Sequence, residues 1–140
     1  MFNRHGVPRT RLAVLRKVPM FEGLSDKVLA RIDSNIDERD VPEGFQLTSE
    51  GAPADQAFIV AKGVAEVRIG EELVGETSVG EMIGEIGILN RTRRTATVTA
   101  RTPMRLLVVT PRAVSWLLED ETLNARVKEN LERHLGRRQP

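Results

Sequence analysis

The 140-residue chain contains no cysteine. That excludes a disulfide framework, a thiolate nucleophile and any Cys-containing zinc site; nothing asks for an oxidising compartment, and a cytoplasmic location is expected. Histidine is nearly as scarce. His5 and His134 lie near opposite ends, so no pair at helix or strand spacing is available for a metal centre or a catalytic relay, and neither metal nor cofactor is expected. Long apolar runs are missing too: even Ala57–Ala61 and Leu106–Val109 fall far short of the roughly 20 residues of a spanning helix. Charge of one sign is not in excess either. The 21 basic residues against 20 acidic ones leave a net +1, which gives no surface-wide field for a polyanion.

What is present is the composition of a soluble globular protein, 40% apolar and 29% charged, at the length of one domain. The first 17 residues carry Arg4, Arg9, Arg11, Arg16 and Lys17 with no acid before Glu22 and no apolar signal-peptide core. They read as a solvated arm or short helix in preference to a membrane or nucleic-acid anchor. Val28, Leu29, Ile32 and Ile36 recur at helical spacing behind Ser25 or Asp26 as cap, predicting a helix that ends near Asn35.

From there to Thr110 the sequence breaks into stretches of four to seven residues separated by turn residues. Lys62-Gly63 reads as a tight hairpin into Val64–Ile69, with Val67 and Ile69 on one face, and Gly70-Glu71 as the next hairpin. The expected fold is mostly β, an eight-stranded antiparallel jelly-roll barrel over about 36–110, with an N-terminal helix and two C-terminal helices over about 111–135. Thr110-Pro111 starts the first of these, with Trp116 as a core anchor. The second carries Leu123, Val127, Leu131 and Leu135 and stops at Gly136.

Residues 80–98 read neither as strand nor as ordinary loop. Glu85–Leu89 is long enough for one helical turn, whose unpaired N–H groups favour an anion. Gly84 and Gly87 let a ligand approach the backbone, and Arg94 can return a guanidinium to the same place, its planar fork suited to phosphate. Arg91 and Arg93 are expected in solvent. A carboxylate at Glu85 beside a phosphate requires a donor between them, such as a sugar hydroxyl; phosphate with ribose is a nucleotide. Val67, Ile83 and Ile86 would then face sugar and base. The spacing alone is equally compatible with a glycine-rich corner at which Glu85 and Arg94 pair on the surface.

Gly84-Glu85-Ile86-Gly87-Ile88-Leu89 followed by Arg94-Thr95-Ala96-Thr97-Val98 resembles the phosphate-binding cassette of the cyclic nucleotide-binding domain family. Val18–Ser25 and Gly51–Gly63 resemble two further segments of that family, so the likeness runs over most of residues 18–140. It implies that Glu85 accepts from the ribose 2′-hydroxyl and that Arg94 pairs with the cyclic phosphate. Backbone N–H groups around Gly87 and Thr95 would complete the cradle, and Gly84 would permit close approach. The chain departs from the family's usual pattern at Ile83, often aromatic, and at Gly87, often alanine. A threonine at the position of Thr95 can help hold guanine, yet no further polar group is assignable to guanine, which favours cyclic AMP over cyclic GMP.

The expected function is therefore a regulatory sensor that signals to an effector protein by moving its C-terminal helix, with Leu123, Val127 or Leu131 as a lid over the base. Plain packing of that stripe against the barrel, or homodimerisation through it, is the alternative for those leucines. For the whole chain the alternative is a domain that kept the fold as a protein-interaction scaffold. An enzyme ranks last, because no histidine or carboxylate cluster is available to attack a cyclic phosphodiester. Direct DNA binding is not expected, since only Gly136–Pro140 follow the last helix, and Met1 favours a complete short protein over a fragment.

Overall fold

A computed structural model describes residues 1–54, 56–84, 93–119, 121, 124 and 125. Among them are strands β1 (Ile36–Val41), β2 (Gln46–Thr48), β3 (Ala57–Lys62), β4 (Ala65–Ile69), β5 (Glu72–Thr77), β6 (Met82–Ile83), β7 (Thr97–Ala100) and β8 (Met104–Val109). Helices α1 (Arg9–Lys17), α2 (Asp26–Asp33) and α3 (Pro111–Glu119) flank them, with a 3-10 turn at Pro19–Phe21. The strands form two antiparallel four-stranded sheets, ordered β1-β8-β3-β6 and β2-β7-β4-β5. The expected count and the mostly-β class hold; among the described residues the architecture is two sheets, with no ladder closing them into one barrel.

The apolar runs Ala57–Ala61 and Leu106–Val109 become the two central strands of the first sheet, and their burial on both faces explains why neither alternates with polar residues. Phe58, Val60, Leu106 and Val108 point between the sheets, where they meet Val41, Leu47, Val67, Ile83, Ala96 and Val98. Ala57, Ile59, Leu107 and Val109 point the other way and pack against Leu15, Val18, Phe21, Leu29, Ile32 and Ala113 from the helical layer. Each fully buried aliphatic side chain of this kind contributes about 1.5–3 kcal/mol.

Both expected helix starts are capped as their sequences require. Ser25 Oγ accepts from Val28 N at 3.3 Å, and Thr110 Oγ1 accepts from Ala113 N at 3.2 Å. Of the two readings for the first 17 residues, the structure has the short helix, and its Leu15 is fully buried in the core. α1 is fastened to α2 by a forked ion pair: Arg11 Nη2 donates to Asp33 Oδ2 at 2.8 Å, and Arg11 Nε donates to Asp33 Oδ1. That hydrogen-bonded carboxylate holds the Arg11 pKa above its ordinary value against the opposing effect of burial.

Two local expectations are corrected. Lys62-Gly63 is not a hairpin turn, because both edges of β3 are already occupied by β8 and β6, and β4 belongs to the other sheet. The dipeptide is instead a corner between sheets. Val64 N donates to Thr102 Oγ1 at 3.0 Å and Arg101 N donates to Val64 O at 2.9 Å, fixing that corner to the turn before β8. The second correction is β6. Residues 80–98 read as something other than strand, yet Met82 and Ile83 pair with Ile59 and Phe58, adding a two-residue strand to the first sheet.

Gly63 has φ +94, and a Cβ there would lie 2.5 Å from Pro103 O. Gly63→Ala therefore combines a left-handed conformation with a clash against backbone, and is expected to cost about 2–3 kcal/mol, read as a lower midpoint in urea unfolding. An unchanged midpoint would show that the corner relaxes freely.

Candidate functional site

Arg94 reaches its place because the segment before β7 is laced to the turn before β3. Arg94 N donates to Ala52 O at 2.8 Å, Gly51 N donates to Arg94 O at 2.9 Å, and Arg93 forms a bridge with Pro53. The alternation this pairing imposes sends neighbouring arginines to opposite sides. Arg93 is exposed and donates through Nη1 to Gly51 O at 3.0 Å, whereas Arg94 is 7% exposed. Downstream, Thr48 Oγ1 donates to Ala96 O at 2.9 Å inside the protein and Glu50 N donates to Thr97 Oγ1 at 3.0 Å, so the register of the segment is held on both sides of Arg94.

The Arg94 guanidinium closes over the ends of two paired strands. Nη1 donates to Gly84 O at 2.9 Å, directly after β6, and Nη2 donates to Gln56 O at 2.5 Å, directly before β3. The Gly84 carbonyl belongs to the peptide that joins Gly84 to Glu85, so the Arg94 guanidinium sits where the chain enters residue 85. Gly84 has φ +85, and a Cβ there would lie 2.3 Å from Arg94 Nη1 and 3.2 Å from Gln56 O. The absence of a side chain is what admits the guanidinium.

Val67 and Ile83, which the sequence marked for the apolar wall, are 8% and 5% exposed and share the intersheet cluster with Ala96 of the cassette, 5% exposed. Thr95 follows Arg94 at an exposed bend. Glu85, Ile86 and Gly87, together with Leu123, Val127, Leu131 and the helix expected to carry those three, lie outside the described residues. Trp116 packs partly buried against the helical layer, as expected of a core anchor, and the Arg31 guanidinium sits 4.3 Å from its ring centroid.

Sequence reasoning missed two participants. The Gln56 carbonyl left no signal, because a backbone acceptor is available from any residue type. Gly75 did carry a signal, an isolated glycine inside a strand. It pairs with Val67 across β4 and β5, and among the described residues a Cβ on it would meet nothing within 4 Å. Among the described residues no group of three or more His, Cys, Asp or Glu side chains could hold a metal ion, and no helix is long and apolar enough to cross a membrane.

Residues 38–121 match the sequence family described as the cyclic nucleotide-binding domain, well over half of the chain. The chain belongs to that family. A cAMP-dependent protein kinase regulatory subunit from Mycosarcoma maydis is 36% identical over 113 residues, which cover 74% of this chain and 22% of the relative. A CRP-like cAMP-activated global transcriptional regulator from Mycobacterium tuberculosis is 26% identical over 132 residues, covering 89% and 58%. The chain thus spans between about a fifth and three fifths of the length of these curated relatives. Among solved structures, one described as cAMP-bound PfPKA-R superposes with a TM-score of 0.82 at 17% identity, covering 91% of this chain and 45% of that one, a likeness of fold.

In this cyclic nucleotide-binding domain Gly84→Ala is expected to displace the guanidinium of Arg94 and to impose a left-handed conformation on a residue with a side chain. The expected loss is about 1–3 kcal/mol in denaturant unfolding. A variant as stable as the parent would show that Arg94 has an equally good alternative seat.

Proposed function

We propose that the domain is a regulatory module that binds a cyclic nucleotide, cyclic AMP in preference to cyclic GMP, and does not turn it over. The observation that carries this reading is the buried Arg94 guanidinium, held against the peptide that leads into Glu85 by a glycine that leaves room for it. A desolvated, oriented guanidinium favours an anion that can take two parallel N–H bonds, and a cyclic phosphate does so. Cyclic AMP is supported by the names of the relatives, a cAMP-dependent kinase subunit and a cAMP-activated regulator.

In this reading Arg94 pairs with the phosphate and Glu85 accepts from the ribose 2′-hydroxyl. Gly84, Gly87 and Thr95 supply close backbone approach and N–H donors, while Val67, Ile83, Ile86 and Ala96 face sugar and base. Residues 18–140 are the binding unit. Its last helix, through Leu123, Val127 or Leu131, closes over the base and transmits occupancy to an effector protein, and ligand shifts that helix only by the difference in its affinity for the two arrangements.

Thermal unfolding with cyclic AMP, cyclic GMP and 5′-AMP tests the ligand. At about 100 times the dissociation constant a native-state ligand adds roughly 2.7 kcal/mol, a rise of several degrees in Tm. The largest rise is expected with cyclic AMP and none with 5′-AMP, and incubation with cyclic AMP is expected to yield no 5′-AMP. No rise with either cyclic nucleotide overturns the reading and leaves the interaction scaffold.

Arg94→Ala is expected to weaken cyclic AMP binding about 10- to 100-fold by calorimetry, from the loss of charge-assisted bonds worth roughly 1.5–3 kcal/mol. The side chain also spans the two sheets, so the unliganded protein should lose stability as well. Arg94→Lys keeps the charge without the fork; affinity equal to the parent in both variants would remove Arg94 from the site.

A further inference from the structure

The loop that leads into α1 is closed by hydrogen bonds. Asn3 Oδ1 accepts from the backbone N–H of His5 and of Val7, both at 3.0 Å, and Asn3 N donates to Val7 O at 2.9 Å. Phe2 bridges Pro8, and Arg9 N donates to Met1 O at 2.8 Å. Val7, 1% exposed, anchors the loop to the body of the protein. With that inward place taken, the closed loop holds two large apolar side chains in water: Met1 is 88% exposed and Phe2 53%.

The surface beside them is basic. On α1 the inner face is Leu15 with the partly buried Arg11, Leu12 and Val14, which leaves Arg9, Thr10, Ala13, Arg16 and Lys17 exposed on the outer face, with no acid among them. Arg16 is paired with Asp26. Among the described residues no acidic side chain pairs with Arg4, Arg9 or Lys17. Two projecting apolar side chains thus adjoin Arg4, Arg9 and Lys17, cations with no acidic partner among the described residues, on one closed loop and the helix it starts.

We propose that this surface docks the protein peripherally on an anionic lipid bilayer, with Met1 and Phe2 entering the boundary between headgroups and acyl chains and Arg4, Arg9 and Lys17 facing the headgroups. Charge complementarity selects an anionic surface, and the apolar pair selects lipid over nucleic acid. A phosphate backbone would reward the cations and leave Met1 and Phe2 in water, whereas a bilayer takes up both. Neither contribution suffices alone. Two apolar side chains give weak, reversible insertion, and each cation near an anionic leaflet adds about fivefold in partition.

Co-sedimentation of the full chain with phosphatidylcholine vesicles, with and without about 30 mol% phosphatidylserine, tests the proposal. Pelleting is expected with the anionic vesicles alone and is expected to disappear at high salt. Arg9→Glu combined with Lys17→Glu, and separately Phe2→Ser, are each expected to reduce partition by roughly tenfold or more. All three positions are exposed, so the unliganded Tm should stay within about a degree of the parent. Absence of pelleting by the parent, equal pelleting with neutral vesicles, or undiminished pelleting of both variants overturns the proposal. So does tighter binding to duplex DNA than to anionic vesicles at the same salt. None of these outcomes depends on whether the domain binds a cyclic nucleotide.

Discussion

The contact on which the site is built is the Arg94 guanidinium seated on the carbonyls of Gly84 and Gln56. Taking a cation out of water costs several kcal/mol unless hydrogen bonds replace those it loses, and carbonyls at strand ends are suited to do so because the sheet has no further use for them. Gly84 O follows the last residue of β6 and Gln56 O precedes the first of β3, so each lies just beyond the ladder that joins those strands. Arg94 approaches from the β7 side. One side chain therefore ties the second sheet to a pair of strand ends in the first.

Stability and the proposed binding thereby rest on the same group. A side chain retained only to meet an anion could be truncated with little effect on the unliganded fold; Arg94 cannot, because its removal leaves two carbonyls without the bonds they make here. The constraint extends to Gly84, where positive φ and the nearness of Arg94 Nη1 each select glycine independently. It extends also to the 51–53 turn, whose backbone bonds hold Arg94 in register. These residues are distant in sequence and contiguous in space.

What could be read from the chain beforehand follows from the range of each interaction. Caps at Ser25 and Thr110 act over three residues and were visible. The Val67 alternation and the separation of Glu85 from Arg94 were visible as periodicity and spacing. The role of Lys62-Gly63 was not, since a hairpin and a corner use the same residues and only occupation of both β3 edges, by β6 and by β8, decides between them. β6 was missed for a related reason: two residues carry no periodicity, and Met82-Ile83 is a strand only because β3 offers it an edge. The family resemblance supplied roles for Glu85 and Arg94 that spacing left open, but it could not supply the Gln56 carbonyl, which has no side-chain signature.

β3 also determines what the proposed ligand at Arg94 would affect. Gln56, which accepts from Arg94, is followed by Ala57, and Ala57 and Ile59 lie on the face of β3 that packs against the helical layer, with Leu15, Leu29 and Ala113 in the same cluster. Phe58 and Val60 lie on the opposite face, in the intersheet cluster with Val67, Ile83 and Ala96. Because protein interiors are packed as densely as organic crystals, a displacement of the Gln56 carbonyl cannot be absorbed on one face of such a strand and must be met on the other. Among the described residues, β3 thus links the helical layer to the candidate site. The Arg31–Trp116 contact sets how far α3 can respond, since it holds α3 to α2 at the outer edge of that layer. A displacement of α3 relative to α2 would break that cation–π contact, worth about 0.5–2 kcal/mol, as well as the packing of Ala113 with Leu29 and Ile32.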